Sequence, residues 1–373
     1  MKKICQKSVS WLFLVFCVMI SVNSLLWITG CSRKGLTEKE KEIEEEKPTK
    51  QPTKHPEGIG VSDDFSKAVI EERDIYSWTV YWDHGESLED MNKLTSNIIG
   101  ISYFAAYFDK NKELFIPESA LTIRQEIEDS YGKNEIKSYL TFVNDLLKPE
   151  GGSSLKDTKL LYQLFSKEKD RKNHIDKIIQ MSLEEGFDGI EIDYEAIKKD
   201  MDLWKLFCKF IEELYKETTK QQLALRVLLE PGAPIDKIQL PKGPEYVVMC
   251  YNLHGYGTKA GPKADRAFLE KMVAKMEGLN KGEIGFAVAS GGFSFSASGI
   301  VKQMTTDEAI EKSKLSEKEP YRDKKSGCLV YTYIDEENIK QEVWYADEIT
   351  IDYWFDILEN AGGKNLYLWR LGG

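Results

Sequence analysis

An α/β fold, a (β/α)8 TIM barrel with a small β insertion near its seventh strand, is predicted by three observations. Short β-rich runs alternate with longer amphipathic stretches from Ile75 to Trp369, the order that builds a parallel sheet covered by helices. The runs number eight, which is what closes a barrel. The fourth run reads Asp188-Gly189-Ile190-Glu191-Ile192-Asp193-Tyr194-Glu195, with acids at every second position. Those acids share one face while the apolar residues take the other.

The chain begins with different material. Lys2, Lys3 and Lys7 precede an apolar stretch from Trp11 to Thr29 that closes on Ile28-Thr29-Gly30-Cys31. A basic head, a hydrophobic segment and small residues before a cysteine are the parts of an export signal. Residues 1–30 resemble a bacterial lipoprotein signal peptide. The resemblance implies a lipid on Cys31 and a chain anchored at the extracytoplasmic face of the cell membrane. An uncleaved transmembrane anchor is the other reading, weakened by Ser21, Asn23 and Ser24. Residues 31–62 carry a Lys/Glu run from Glu38 to Lys47, prolines at 48, 52 and 56, and almost no large apolar side chains. Such a segment cannot offset the entropy of ordering itself, so a flexible linker is expected. Residues 63–373 then form one domain, long in general but ordinary for a barrel.

The strands are expected at Ile75–Trp82, Asn97–Tyr107, Ser138–Asn144, Gly189–Tyr194, Leu223–Leu229, Tyr246–Tyr251, Ile284–Ala289 and Leu366–Trp369. Between them, Leu203, Phe207, Phe210, Ile211 and Leu214 recur at helical spacing, as do Phe268, Leu269, Met272, Val273 and Met276. These stripes read as core. The rhythm breaks from about Ser296 to Tyr345, where Leu329–Ile334 and Glu342–Tyr345 look like antiparallel strands around the turn Asp335-Glu336-Glu337-Asn338. That insertion is expected on the rim, either walling one side of a groove or forming an ordinary long loop with a hairpin.

Composition narrows the partners. With 62 acidic and 51 basic residues the formal net charge is −11, and the pI is near 5.2. A nucleic-acid partner needs a basic surface and is excluded on this ground; a monomer is expected. Beyond the leader only Cys208, Cys250 and Cys328 remain. They lack the spacing of a zinc site and read as packing residues, though one pair could be bridged in an exported protein.

The acidic row carries the chemistry. In such a barrel the reactive side chains sit at the C-terminal ends of the strands, the position of Glu195. Alternate carboxylates lie about 7 Å apart along a strand, so one ionised group pushes a neighbour's pKa upward. A pKa so raised is expected to let Glu195 hold a proton near neutral pH and donate it to a glycosidic oxygen.

The octapeptide resembles the signature of glycoside hydrolase family 18, the chitinase-like barrels, whose pattern is Asp-Gly-x-Asp-x-Asp-x-Glu. Asp188, Gly189, Asp193 and Glu195 are in register, with Glu191 in place of the usual Asp. The resemblance implies a retaining, substrate-assisted hydrolysis of β-linkages next to N-acetylglucosamine, in which the sugar's own acetamido oxygen attacks the anomeric carbon and no cofactor is needed. Glu195 would be the general acid and then the base. Asp193 would orient the acetamido group, with Glu191 supporting it from below and counted among the substrate-binding residues. Met249-Cys250-Tyr251-Asn252 is similar to the family's Met-x-Tyr-Asp: Tyr251 would bond the acetamido oxygen, and Asn252, replacing an acid, would meet sugar hydroxyls. Leu366-Tyr367-Leu368-Trp369 resembles the eighth strand that delivers a tryptophan to the floor, so Trp369 would stack on a sugar ring. Trp82 and Phe104 are further candidates to line the groove.

The third strand departs, with Ser138-Tyr139-Leu140-Thr141 where many relatives have Ser-x-Gly-Gly. That form is closer to the spore-lysin and endoglycosidase-like branches. Peptidoglycan, chitin or an N-glycan core would be the polymer. A catalytically silent glycan-binding lipoprotein on the same barrel is the alternative, and a divalent metal held by Glu191, Asp193 and Glu195 a third reading. His84 and His254 lie near strand ends without ligand spacing, which points to the surface or behind the site rather than to a metal.

Overall fold

Eight parallel strands close on themselves in chain order. They are β1 (Asp74–Val80), β2 (Asn97–Phe108), β3 (Lys137–Leu147), β4 (Gly189–Asp193), β5 (Ala224–Leu229), β6 (Glu245–Met249), β7 (Ile284–Ala289) and β8 (Asn365–Trp369). Each pairs with its predecessor, and β8 returns to β1 with Tyr76 opposite Tyr367. The computed structural model describes residues 65, 70–132, 135–149, 151–279 and 283–373. The expected leader, Cys31 and the linker lie outside the described residues.

Alternation along the strands sorts side chains between two cores. Ile190, Ile192, Leu225, Val227, Leu366 and Leu368 face outward into the layer shared with the helices. Trp78, Leu228, Val247, Met249, Ala287 and Tyr367 face inward and fill the lumen. The helices are α1 (His84–Lys93), α2 (Glu118–Tyr131), α3 (Thr158–Phe165), α4 (Glu168–Glu184), α5 (Met201–Lys220), α6 (Arg266–Glu277), α7 (Thr306–Ser313) and α8 (Glu348–Asn360). Helix α5 shows why they form. Asp200 caps it by accepting from the Leu203 amide at 3.0 Å, satisfying one of the otherwise unpaired first-turn donors. The stripe Leu203, Phe207, Phe210, Ile211 and Leu214 is buried to the last residue, each side chain stabilising the fold by roughly 1.5–3 kcal/mol. Between β5 and β6 no helix intervenes; Pro231, Pro234 and Pro241 carry the chain across as loop.

Between β7 and β8 the insertion is larger than the two strands expected. It is a five-stranded antiparallel sheet in the order Val301–Met304, Gly291–Ser296, Lys340–Ala346, Leu329–Ile334, Tyr321–Arg322. The extra strand Gly291–Ser296 alternates Phe293 and Phe295 with serines, and both rings are buried. The expected turn is present: Asp335 accepts from the amides of Glu337 and Ile339, and Asn338 takes φ +58. Cys250 and Cys328 are buried thiols, and Cys208 packs against the core from a half-buried position.

Candidate active site

The lumen is built in layers. Near the bottom, Arg226 lies over three tyrosines, its guanidinium 3.9 Å from the Tyr139 ring centre and 4.6 Å from those of Tyr76 and Tyr367. Gly189 makes this possible, since a Cβ there would stand 2.5 Å from the Tyr139 ring. Arg226 bonds Glu245 at 3.0 Å and Glu191 at 3.2 Å.

The middle layer is Glu191, and here the structure corrects the sequence reading. Its side chain is fully buried. Trp78 Nε1 donates to it at 2.6 Å, Ser102 and Thr141 hydroxyls at 2.8 Å each, and Arg226 Nη1 at 3.2 Å. Four donors saturate a carboxylate, so Glu191 is out of a sugar's reach and not free to share a metal ion with Asp193 and Glu195. Among the described residues no cluster of acids, histidines or cysteines has metal-site geometry.

Asp193 stands one step higher, also inward, and is 7% exposed. Its Oδ1 is buried without a hydrogen-bond partner. Burial, and then the charge of Glu195, hold its pKa well above the usual carboxylate range, with Lys156 opposing the shift. The interacting row of acids was expected; the group it raises is Asp193.

Glu195 lies two residues past the end of β4. Asn144, buried near the end of β3, fixes its backbone by accepting from the Glu195 amide at 3.0 Å and donating to its carbonyl at 3.2 Å. The chain then turns away with Ala196 at φ +63, whose amide donates to Glu230 at 2.9 Å. The Glu195 side chain is 16% exposed at the mouth, and its Oε1 is 2.6 Å from Lys156 Nζ. Burial together with Glu195 also raises the pKa values of Glu230 and Asp145.

Tyr251 follows β6 and packs half-buried against the inward cluster. After burial, the charges of Asp193 and Glu195 are the largest influences raising its pKa. Asn252 beside it is exposed with φ +61. Trp369 meets Trp78 at 5.7 Å and the edge of Phe104 at 5.3 Å. Trp82, 54% exposed, stands edge-on to Phe104 at 5.8 Å. The two tryptophans thus bracket Phe104 along the mouth. His254 is half-buried and contacts the Lys259 carbonyl at 3.1 Å; the side chain of His84 lies outside the described residues. A cavity of about 600 Å³ opens between α1 and α8, but none of Asp193, Glu195 and Tyr251 lines it.

Sequence reasoning missed Lys156, Asn144, Arg226 and Glu230. Arg226 lies within the fifth strand and Glu230 directly follows it, in the row Arg226-Val227-Leu228-Leu229-Glu230, where a lone charge between apolar residues is the signal of an inward polar partner. Lys156 has no such signal, since it lies on a loop behind a two-residue strand pairing Leu146–Leu147 with Ser153–Ser154.

Comparison with known proteins agrees with this fold. A curated relative, described as an uncharacterized glycosylase YvbX of Bacillus subtilis, is 23% identical across 68% of this chain and 74% of its own. The spore cortex-lytic enzyme SleL of Bacillus cereus superposes with a TM-score of 0.65 at 13% identity, over 81% of this chain and 72% of that one. A chitinase of Chromobacterium violaceum gives 0.65 at 13% identity, over 81% and 94%. The sequence profile described as Glycosyl hydrolases family 18 matches residues 77–373, and this chain belongs to that family.

Proposed function

We propose that this protein is a retaining, substrate-assisted glycosidase that hydrolyses β-linkages next to N-acetylglucosamine in an envelope polysaccharide, peptidoglycan first, with chitin and N-glycan cores as alternatives. The observation that carries the reading is Asp193, a protonatable acid with an unpartnered buried oxygen, one inward step below Glu195. An unsatisfied buried acceptor is costly, and a substrate acetamido N–H at that point would satisfy it.

The steps follow from the placement. Glu195 protonates the glycosidic oxygen, the bond from that oxygen to the anomeric carbon breaks, and the acetamido oxygen bonds to the same carbon from the opposite face. The proton that Glu195 delivers comes from Asp193, which is left anionic beneath the developing positive charge, an interaction the low-dielectric site makes effective, and Glu195 is itself ionised once the leaving group departs. The Tyr251 hydroxyl donates to the acetamido oxygen and holds it in line for attack. Water then opens the ring from the face the leaving group vacated, losing its proton to Glu195, so configuration is retained. The relatives fit an envelope target: the one in Bacillus cereus is named for spore cortex lysis. A lipid on Cys31 would hold the enzyme at the outer face of the cell membrane beside that polymer.

The test is turnover of a chromogenic N,N′-diacetylchitobioside and of purified sacculi, with mass analysis of the new reducing ends. Hydrolysis lost in Glu195→Gln supports the reading, and N-acetylglucosamine at the reducing end identifies the bond. Binding to a glycan panel without any hydrolysis would instead establish the silent glycan-binding alternative.

A further inference from the structure

Lys156 is unexplained by the proposed chemistry. It sits at φ +54 on the loop after the hairpin strand Ser153–Ser154. The Asp145 carboxylate pins the Lys156 amide at 2.7 Å, so the backbone is fixed while the side chain, 48% exposed, reaches across the mouth to Glu195 Oε1 at 2.6 Å. That oxygen accepts from an ammonium ion, so through it Glu195 has no proton to give. The charges acting on Lys156 are Glu195, Asp193 and Glu230, and Asp145 interacts with it through both backbone and side chain. Every one is acidic.

A site so lined repels an anionic sugar unless a cation meets it, and Lys156 is a cation in direct contact with Glu195. We propose that Lys156 is a specificity-determining residue that leaves Glu195 for a carboxylate carried by the sugar on the leaving-group side, freeing Glu195 Oε1 to take up the proton it must deliver. The inference rests on the hydrolase reading and names its substrate class, a glycan in which N-acetylglucosamine is followed by a carboxylate-bearing amino sugar. A neutral glycan must break the same ion pair with nothing to replace it. The carboxylate exchanges one charge-assisted bond for another, and the tethered, partly exposed side chain makes the exchange a rotamer change.

The experiment compares the wild type, Lys156→Met and Lys156→Arg on a glycan fragment bearing the free carboxylate and on its methyl ester, by kcat/KM and, separately, by calorimetric binding. In the wild type the acid is expected to exceed the ester by about tenfold. Lys156→Met is expected to remove that ratio, losing on the acid and holding or gaining on the ester, and Lys156→Arg to restore it. Equal ratios in the wild type and Lys156→Met, in both turnover and binding, overturn the role of Lys156 and leave the hydrolase standing. A Lys156-dependent binding preference with no turnover of either fragment overturns the hydrolase and leaves the carboxylate contact standing.

Discussion

Glu191 and Arg226 form a buried ion pair in the barrel lumen, Nη1 to Oε2 at 3.2 Å, with both side chains sealed from water. Each is also bonded to other groups: Glu191 to Trp78, Ser102 and Thr141, Arg226 to Ser102 and Glu245. The pair gives the lowest acid of the row a countercharge, and of the two acids beside Asp193 it is Glu195 whose charge weighs more on it.

Breaking that pair from one side should be costly. In Arg226→Met the Glu191 carboxylate stays buried without its countercharge, and a loss of about 3–5 kcal/mol in unfolding free energy is expected. Glu191→Gln keeps hydrogen-bonding capacity and should lose less. The double variant should recover part of the single Arg226→Met loss, because no unpaired carboxylate remains at 191. Urea titration of the four proteins checks this; an additive double variant would show that the two charges do not interact.

Asp193 should trade stability for function, with a sign opposite to the common carboxylate. Its folded-state pKa lies above the unfolded value, so its contribution to stability is fully present below about pH 4 and is lost as pH rises through the folded-state pKa. Asp193→Asn removes the ionisable group. It should therefore melt higher than the wild type at pH 7, with the difference vanishing below about pH 4, while turnover falls. A variant less stable than the wild type at neutral pH would contradict the raised pKa.

How much of this was legible in the sequence follows from which contacts are local. The alternation of Glu191, Asp193 and Glu195 against Ile190, Ile192 and Tyr194 is a two-residue period, and the fold keeps it, with the isoleucines and Tyr194 against the helices. The eight strands follow from the same local patterning, with ends displaced by up to three residues. What encloses Glu191 is not local, since its donors come from Trp78 on β1, Ser102 on β2, Thr141 on β3 and Arg226 on β5. Only the closed barrel brings them together. Lys156 is further from reach still, placed by a hairpin too short to show a period.

Gly189 is required by what lies beside it. Its backbone is ordinary, but a Cβ would stand 2.5 Å from the Tyr139 ring and 3.1 Å from the Ala224 side chain. The ring is held under Arg226 and cannot retreat cheaply. Gly189→Ala should destabilise by about 1–3 kcal/mol, the cost of overpacking a filled core. Adding Tyr139→Leu should recover part of that loss in thermal unfolding, which a purely backbone effect would not allow.

Tyr251 separates packing from chemistry. Its ring belongs to the inward cluster with Trp78, Val247 and Met249, and Tyr251→Phe keeps that packing while deleting the hydroxyl. The melting temperature should hold, and kcat should fall by roughly 10²-fold, the scale for losing one preorganised donor. KM should change little, because the bond strengthens as the acetamido oxygen becomes the nucleophile. A rise in KM at constant kcat would place Tyr251 in ground-state binding instead.

The two tryptophans of the mouth should respond differently to truncation. Trp82 is mostly exposed and touches Tyr81 and Phe104 edge-on, so Trp82→Ala should leave the melting temperature nearly unchanged. If a sugar stacks on its face, oligosaccharide affinity should fall by about 0.5–1.5 kcal/mol, roughly two- to tenfold. Trp369 is half-buried against both Trp78 and Phe104, and Trp78 in turn donates to Glu191. Trp369→Ala should therefore lower both stability and affinity, by opening a cavity beside the ring whose indole N–H helps to hold the buried carboxylate. Calorimetric titration with chito-oligosaccharides of increasing length distinguishes the two sites: a loss in Trp82→Ala confined to the longer oligomers would put Trp82 at the outer end of the groove and Trp369 at its floor.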